Sequence, residues 1–358
     1  MLAGLILLAL GAGPTAAQPG LSGPYEDALR RYLSGDGAGA AADVATWSEE
    51  RLREETVALR AFFRTAQACR PCAAHDEWQR IARAALMLHS DSARQVRREG
   101  RPARIEEGAA AEVAGMLATD PDLRAFAARW FETMAGLAQK ENLWDEALAW
   151  AETGLRDLPG SADLLVVAAS IEETLADQVL PPPGDPLVGT REGPTPSDLQ
   201  RARQQLEQAQ RRLREAAAAP TAPPEARLRL GRVSWRLGHA DEARATLEGL
   251  VAQAPAGPTA FLAHLFLGRI HEDAARLPEA LASYEAAVAL DPTAQSARLA
   301  LSHVRLRTGD VAAARAEAEI AVGTARHRMR DDPFWLYPWG PSVGAEDRLE
   351  VLRREASS

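Results

Sequence analysis

Aromatic residues are scarce in this sequence, at 5% of 358 residues, although hydrophobic residues make up 46% of it. Much of the hydrophobic content is alanine, a good helix former whose small side chain lets helices approach each other closely. No convincing run of residues alternates between apolar and polar types, as a half-buried strand would require. These two deficits argue against a sheet and predict an all-α fold.

The sequence also lacks the short motifs that carry common enzymatic chemistry. It contains neither a Gly-rich phosphate loop nor a Gly-x-Ser-x-Gly nucleophile elbow. His271-Glu272 begins like a zinc-protease motif, but the position that needs the second histidine is occupied by Ala275. We therefore predict that the protein is not an enzyme and that it has no catalytic residues, no metal site and no cofactor.

An excess of basic residues is missing as well. The formal net charge is -9, and neither a basic tail nor a basic domain stands out. A protein with this charge has no general attraction to nucleic acid or to an anionic membrane surface. The expected partners are therefore proteins or peptides.

Cysteine occurs only twice, in Cys69-Arg70-Pro71-Cys72. A c-type haem site needs a histidine directly after the second cysteine, and a zinc site needs a fourth ligand beyond these two cysteines and His75. A thioredoxin-like redox pair usually sits in a βαβ setting, which this chain does not predict. We favour a small structural disulfide between Cys69 and Cys72, and we keep the zinc and redox interpretations as alternatives.

Long hydrophobic runs are absent apart from one near the N-terminus. Residues 2–10 are apolar and are followed by small residues up to Ala17, but a basic segment before them is missing. The run is too short to span a bilayer and is typical of a signal peptide. Residues 1–17 are therefore predicted to be a signal peptide, and the mature protein is expected to be periplasmic or extracellular in a bacterium.

A repeated pattern is the strongest positive signal. The pairs Leu230-Gly231, Leu267-Gly268 and Leu301-Ser302 lie 37 and then 34 residues apart. A small residue follows each leucine after 13 residues, and a proline closes the first two units; these residues are Ala243, Ala280, Ala314, Pro255 and Pro292. A period near 34 with small residues at helix crossings is typical of two-helix solenoid units.

At these residues the chain resembles the tetratricopeptide repeat (TPR) family. The resemblance implies a right-handed α-solenoid of antiparallel helix pairs, with a concave groove lined by the first helix of each pair. It implies binding of a protein or peptide in that groove, and no chemistry. The physical argument agrees, because neither helix of a pair can bury its apolar side without a neighbouring pair.

The pattern divides the chain into five regions. After the signal peptide we predict an N-terminal helical region with a degenerate repeat (25–125) and TPR-like helices (128–219) interrupted by a Pro-rich insertion (180–197). Three tandem repeats follow (224–330). The last region (331–358) holds an aromatic segment, residues 331–340, with Phe334, Trp335, Tyr337 and Trp339, and a helix over 345–354. Because an array must cover its last unit, we expect this region to be a cap.

Charge is distributed unevenly between the helices of the tandem repeats. First helices carry eight arginines against three acidic residues, whereas second helices carry two arginines against nine acidic residues. The groove is therefore predicted to be basic and to favour an acidic peptide. The candidate ligand-binding residues recur on the first helices: Arg232, Trp235, Arg236, Arg269, His303 and Arg307.

The residue types at this site limit how it can bind a ligand. TPR proteins that grip a carboxylate use Lys and Asn, and the only asparagine here is Asn142, so that type of clamp is not expected. The arginines also have an alternative role, in which they pair with neighbouring acidic residues. If they bind a ligand, changing Arg232 and Arg269 to alanine should weaken binding of an acidic partner and leave folding nearly unchanged.

Taken together, these features predict an exported scaffold or adaptor that binds a protein or peptide, for example in envelope assembly. The alternative function is a thiol-disulfide redox protein that uses Cys69 and Cys72.

Overall fold

The computed structural model describes residues 23–68, 75–180, 194–253, 256–328 and 331–358. Within these ranges the chain forms 17 α-helices and one 3-10 helix, and no strand occurs in them. The predicted all-α fold is confirmed. The helices fall into two units, and the division runs through α6 (Arg124–Lys140), of which residues up to Thr133 belong to unit 1 and residues from Met134 to unit 2.

Unit 1 comprises the N-terminal helices, the start of α6, residues 156–158 and the last helix of the chain. Besides α6, its helices are α1 (Gly23–Leu33), α2 (Gly37–Val44), α3 (Glu49–Ala68), α4 (His75–Arg98), α5 (Arg104–Ala118) and α17 (Ala345–Ser357). Two hydrogen-bonded pairs of buried polar groups lie in its core: the Tyr25 hydroxyl lies 3.0 Å from His89 Nε2. Trp130 Nε1 donates to Ser90 Oγ at 2.8 Å.

Unit 2 is a stack of helix pairs. It begins with the end of α6 and with α7 (Trp144–Asp157), and the packed pairs that follow are α8 (Ala162–Asp177) with α9 (Pro196–Ala218), α10 (Pro224–Arg236) with α11 (Ala240–Gln253), α12 (Gly257–Asp273) with α13 (Leu277–Leu290), and α14 (Gln295–Arg307) with α15 (Val311–Arg328). Adjacent helices pack against each other along the whole series from α8 to α15. The predicted α-solenoid of antiparallel pairs is confirmed.

The small residues of the repeat pattern lie where the two helices of a pair cross. A Cβ atom on Gly231 would lie 2.5 Å from Leu247, and one on Gly268 would lie 2.3 Å from Tyr284, so only glycine fits at either position. In the third pair Ser302 Oγ donates to the Ala314 carbonyl at 2.7 Å. The Leu-Gly pairs therefore mark close helix approaches, as the sequence pattern predicts.

The aromatic segment (331–340) and the predicted capping helix lie in different units. The segment forms α16 (Pro333–Leu336) and most of the 3-10 helix (Tyr337–Ser342), both in unit 2. The helix is α17, and its ion pairs are made within unit 1, for example between Arg353 and Asp91 at 2.5 Å. It therefore packs with α4 within unit 1, because Arg353 faces the Asp91 carboxylate, whereas the prediction made it part of a cap on the last repeat.

Several predictions fall on residues outside the described ranges. They concern the signal peptide (1–17), Cys69 with Cys72, and most of the Pro-rich insertion (181–193). Among the helices of the described ranges, none is both long enough and apolar enough to cross a membrane.

Candidate functional site

The candidate site lies on the first helices of unit 2. Four of the six predicted residues, Arg232, Trp235, Arg269 and His303, line one pocket with a volume of about 390 Å³. They come together because Arg232, Arg269 and His303 recur at the repeat interval on α10, α12 and α14, which lie side by side, and because Trp235 lies three residues from Arg232 on α10. Apolar groups form most of the remaining wall: Leu265, Phe266, Tyr284, Leu299, Ala300, Phe334 and Trp335.

Trp235 is fixed at one side of this pocket by a carboxylate. Its indole Nε1 donates to Asp273 Oδ2 at 2.9 Å, and Arg269 Nε donates to Asp273 Oδ1 at 3.1 Å. Burial raises the pKa of Asp273, and the charge of Arg269 opposes that shift. Arg269 therefore reaches the pocket with its charge already shared with Asp273.

Glu272 organises the opposite side. Its buried carboxylate accepts a hydrogen bond from the Tyr284 hydroxyl at 3.0 Å and from Arg307 at 2.9 Å, and His303 Nε2 lies 3.0 Å from it. Burial and the charge of Glu272 raise the pKa of Tyr284. The His303 side chain remains 60% exposed, which makes it the most accessible of the predicted residues in these contacts.

Arg232 and Arg236 belong to a buried charge cluster instead of an open groove. Together with Arg229 they occupy one face of α10, opposite Glu173 and Asp177 on α8. Arg232 NH2 lies 2.6 Å from Asp177 Oδ2, and Arg236 donates to the Leu180 carbonyl at 2.7 Å while its other terminal nitrogen pairs with Asp177. Burial alone would raise the pKa of Glu173, but the guanidinium groups of Arg232 and Arg229 hold it below its ordinary value.

Arg229, which is not in the predicted set, is the most deeply buried arginine of the cluster. Its side chain is 1% exposed, and all three of its nitrogens are used. They donate to Glu225 at 2.8 Å, to Glu173 at 2.8 Å and to the Tyr337 carbonyl at 3.0 Å. A buried charge is tolerable only when it is paired and hydrogen-bonded in this way.

Tyr337 of the aromatic segment completes the cluster. Its hydroxyl donates to Glu173 and lies 2.9 Å from Oε1. The guanidinium of Arg229 stacks over its ring at 4.3 Å and that of Arg232 at 5.1 Å, and the ring of Phe266 meets it edge-on at 5.3 Å. Burial and the charge of Glu173 raise the pKa of Tyr337 well above its ordinary value, so its hydroxyl stays a donor.

The rest of the aromatic segment follows the first helices from the last pair towards α6. At one end the Asp332 carboxylate accepts from Ser296 N at 2.8 Å and from Ser296 Oγ at 2.9 Å, at the start of α14. At the other end Gln139 of α6 donates to the Pro338 carbonyl at 3.0 Å, and Trp339 packs on Trp144. The segment therefore lies on the first-helix face, and not over the outer side of α15.

These contacts change the charge expected for the site. Each arginine of the predicted set has a carboxylate partner: Arg232 and Arg236 pair with Asp177, Arg269 with Asp273, and Arg307 with Glu272. The predicted surplus of positive charge counted only the tandem repeats and omitted α8, which supplies Glu173 and Asp177. Arg232 also fixes the fold, so changing it to alanine should destabilise the protein, contrary to the expectation above.

A signal for the missed residues was present in the sequence. Glu173 and Asp177 are four residues apart on α8, and the arginines at 229, 232 and 236 are three and four apart on α10, so each set occupies one helix face. First helices of neighbouring pairs lie side by side, so matching these two faces predicts the cluster. In the described ranges no group of three His, Cys, Asp or Glu side chains is placed to hold a metal ion.

Comparison with known proteins supports the repeat assignment. Residues 200–265 match the tetratricopeptide repeat family. No curated protein matches the chain.

Similar solved structures include PilF of Pseudomonas aeruginosa, at 15% identity over 64% of this chain and 87% of that one, with a TM-score of 0.43. They also include MamA of Desulfovibrio magneticus RS-1, at 19% identity over 56% of this chain and 97% of that one (TM-score 0.40). A further one is YrrB, a TPR protein with an unusual peptide-binding site, at 16% identity over 61% and 90% of the two chains (TM-score 0.36).

Proposed function

Because the chain carries tetratricopeptide repeats, we propose that it is a protein-binding scaffold that holds a peptide segment of its partner in the pocket beside Trp235, Arg269 and His303. The observation that carries the proposal is the make-up of this pocket. Aromatic and aliphatic side chains line about 390 Å³, and arginine and histidine groups border it. Apolar pockets with a few converging polar groups are the usual form of a ligand site.

The chemistry of the pocket favours a particular class of peptide. An apolar side chain would fill the space between Phe266, Leu299 and Trp335. A neighbouring carboxylate would meet His303, which is exposed, and Arg269, which pairs with Asp273. The expected ligand is therefore a segment in which a large apolar residue lies next to an acidic one.

Leu299 offers the sharpest test of this site, because α14 carries a matched control. Leu299 is 42% exposed and lines the pocket, whereas Leu306 is 57% exposed on the same helix and is not among the lining residues. Random peptides would be selected on the wild-type protein, and their affinities would then be measured for Leu299→Arg and Leu306→Arg. An arginine in the pocket should weaken binding by at least about tenfold, since a charge would replace an apolar wall.

The Leu306 variant should bind the selected peptides as the wild type does. Equal affinity for both variants would show that the peptides bind elsewhere. Circular dichroism of both variants checks that the helices are intact.

The proposal also places the scaffold outside the cytoplasm, for example in envelope assembly. The basis is the apolar run of residues 2–10 and the small residues that follow it. Expression in a bacterial host, cell fractionation and N-terminal sequencing test this part. A mature chain that begins after about Ala17 is expected, and a chain that keeps Met1 and stays in the cytoplasm contradicts export.

A further inference from the structure

The aromatic segment (331–340) contacts unit 2 in the way that a bound peptide contacts its receptor. One side chain, Tyr337, is inserted between Arg229, Arg232 and Phe266 and is buried. The two tryptophans on either side of it stay open to solvent, with Trp335 44% and Trp339 38% exposed. Asp332 is the second buried side chain of the segment, at 3% exposure. Two buried anchors beside half-exposed aromatic residues are typical of peptide recognition.

The backbone of the segment is recognised too. The Tyr337 carbonyl accepts from Arg229 and the Pro338 carbonyl accepts from Gln139, both at 3.0 Å. These donors come from α10 and α6, the first helices of two different pairs. Side chains of a receptor that bind consecutive carbonyls hold a ligand in one register.

Gly340 shows how closely the segment approaches its receptor. A Cβ atom at this position would lie 2.4 Å from Arg229 NH2, a nitrogen that is already bonded to the Tyr337 carbonyl. Since Gly340 has no left-handed backbone conformation, the reason for glycine here is the contact and not the turn. The receptor side of the contact is held in place by ion pairs. Glu173 pairs with both Arg229 and Arg232 around the space that Tyr337 fills.

From this geometry we infer that residues 331–340 are a built-in ligand of the first-helix face, and that the external partner of this face is a protein segment of the same chemistry. Such a segment carries an aspartate to bind Ser296 at the start of α14 and, five residues later, a tyrosine followed by Pro-Trp-Gly. The inference rests on the proposed function, because it takes the first-helix face to be a peptide-binding surface. It adds that the external segment replaces residues 331–340, and with them Phe334 and Trp335 of the pocket wall, and it says what occupies the face before the partner arrives.

A built-in ligand lowers the apparent affinity for the external one. The external segment can bind only to the fraction of molecules in which the built-in segment is detached. Tethering gives the built-in segment an effective concentration of roughly millimolar, so the intact protein should bind the free peptide weakly. Loosening the built-in segment should then strengthen binding of the same peptide.

The test uses the full-length chain and a fluorescent synthetic peptide with the sequence of residues 331–342. Its affinity is measured by anisotropy for the wild type, Tyr337→Ala, Gly340→Ala and the control Leu336→Ala, whose side chain is exposed. Tyr337→Ala and Gly340→Ala should each bind the peptide at least about tenfold more tightly than the wild type, and Leu336→Ala should resemble the wild type. A control peptide with alanine at the position of Tyr337 should bind none of them.

The inference is overturned if the loosened variants bind the peptide no better than the wild type, or if they bind the control peptide equally well. Should Tyr337→Ala fail to fold, Gly340→Ala decides the question, since it deletes no side chain and acts through the clash of its Cβ atom with Arg229 NH2. Failure of the proposed function is recognised separately, because the Leu299→Arg comparison does not use this peptide. If Leu299 matters and the loosening variants do not, the pocket binds partners while the segment is a fixed part of the fold.

Discussion

The tandem helix pairs and the aromatic segment of unit 2 are stabilised by different kinds of contact. Within a pair, glycine lets two helices touch through apolar atoms, as Gly268 does against Tyr284. The segment instead depends on one tyrosine and a few hydrogen bonds to buried charges, chiefly Arg229 and Glu173. Apolar contacts of the first kind are spread over many residues, whereas the second kind fails when a single charged group is lost.

The largest expected effect comes from removing a charged group that holds the aromatic segment. Arg229→Ala leaves Glu173 buried with fewer partners and removes the donor to the Tyr337 carbonyl. Loss of one member of a buried ion pair costs about 3–5 kcal/mol in the free energy of unfolding. The control is Arg315→Ala, whose side chain is exposed and pairs with Glu319, and which should cost at most about 1 kcal/mol. Denaturation followed by circular dichroism measures both, and equal losses would contradict the assignment of the cluster.

Two adjacent glutamates of α8 sharpen the comparison through pH. Glu173 is held ionised by arginines, whereas burial raises the pKa of Glu172 from 4.5 to about 7 despite Arg212, whose NH1 lies 3.3 Å away. Between pH 4.5 and about pH 7 the folded protein keeps a proton on Glu172 that the unfolded chain has released. The contribution of Glu172 to the free energy of unfolding is therefore full below about pH 4.5. It is lost as the pH rises to about 7, and the loss amounts to about 3 kcal/mol.

Stability measured from pH 4.5 to pH 8 tests this linkage. The Glu172→Gln variant should lack this decline, so its free energy of unfolding should fall less steeply with pH than that of the wild type. Parallel curves for the two proteins would mean that Glu172 does not titrate in this range.

A smaller effect is expected from changing a glycine at a helix crossing of the tandem pairs. Gly268→Ala places a Cβ atom 2.3 Å from Tyr284 and should cost about 1–3 kcal/mol, as overpacking usually does. The matched control is Gly249→Ala in α11, where no atom lies within 4 Å of the added Cβ. That variant should gain about 0.5–1 kcal/mol, because alanine is the better helix former. A similar effect of both variants would show that the crossing has room to spare.

The smallest effect concerns the turn inside each pair. Gly238, Ala275 and Gly309 occupy equivalent turn positions with φ of 87°, 56° and 89°, a region that alanine enters at a cost. Ala275→Gly should therefore gain up to about 1 kcal/mol, and Gly238→Ala should lose about 1 kcal/mol. Thermal unfolding compares the two variants, and shifts in the same direction would contradict the equivalence of the turns.

The same contrast explains how much the sequence predicts. Gly231 and Gly268 recur with the repeat, so the helix pairs and their crossings follow from spacing alone, and so does the meeting of Trp235, Arg269 and His303 at one pocket. The aromatic segment has no period to place it, and Gln139 contacts it from 199 residues away in the chain. Its position depends on the charge cluster, which is recognised only when α8 and α10 are considered together.

Hydrogen exchange at the backbone of the aromatic segment tests the central claim most directly. The amides of Trp335 and Leu336 donate to the Asp332 carbonyl, at 3.1 and 3.4 Å, inside a segment that is held by Tyr337. In the wild type these amides should be protected, and in Gly340→Ala they should exchange faster while the amides of α13 keep their wild-type rates. Exchange of the segment at the rate of an unstructured peptide in the wild type, or equal acceleration in α13, would contradict its docking on the first helices.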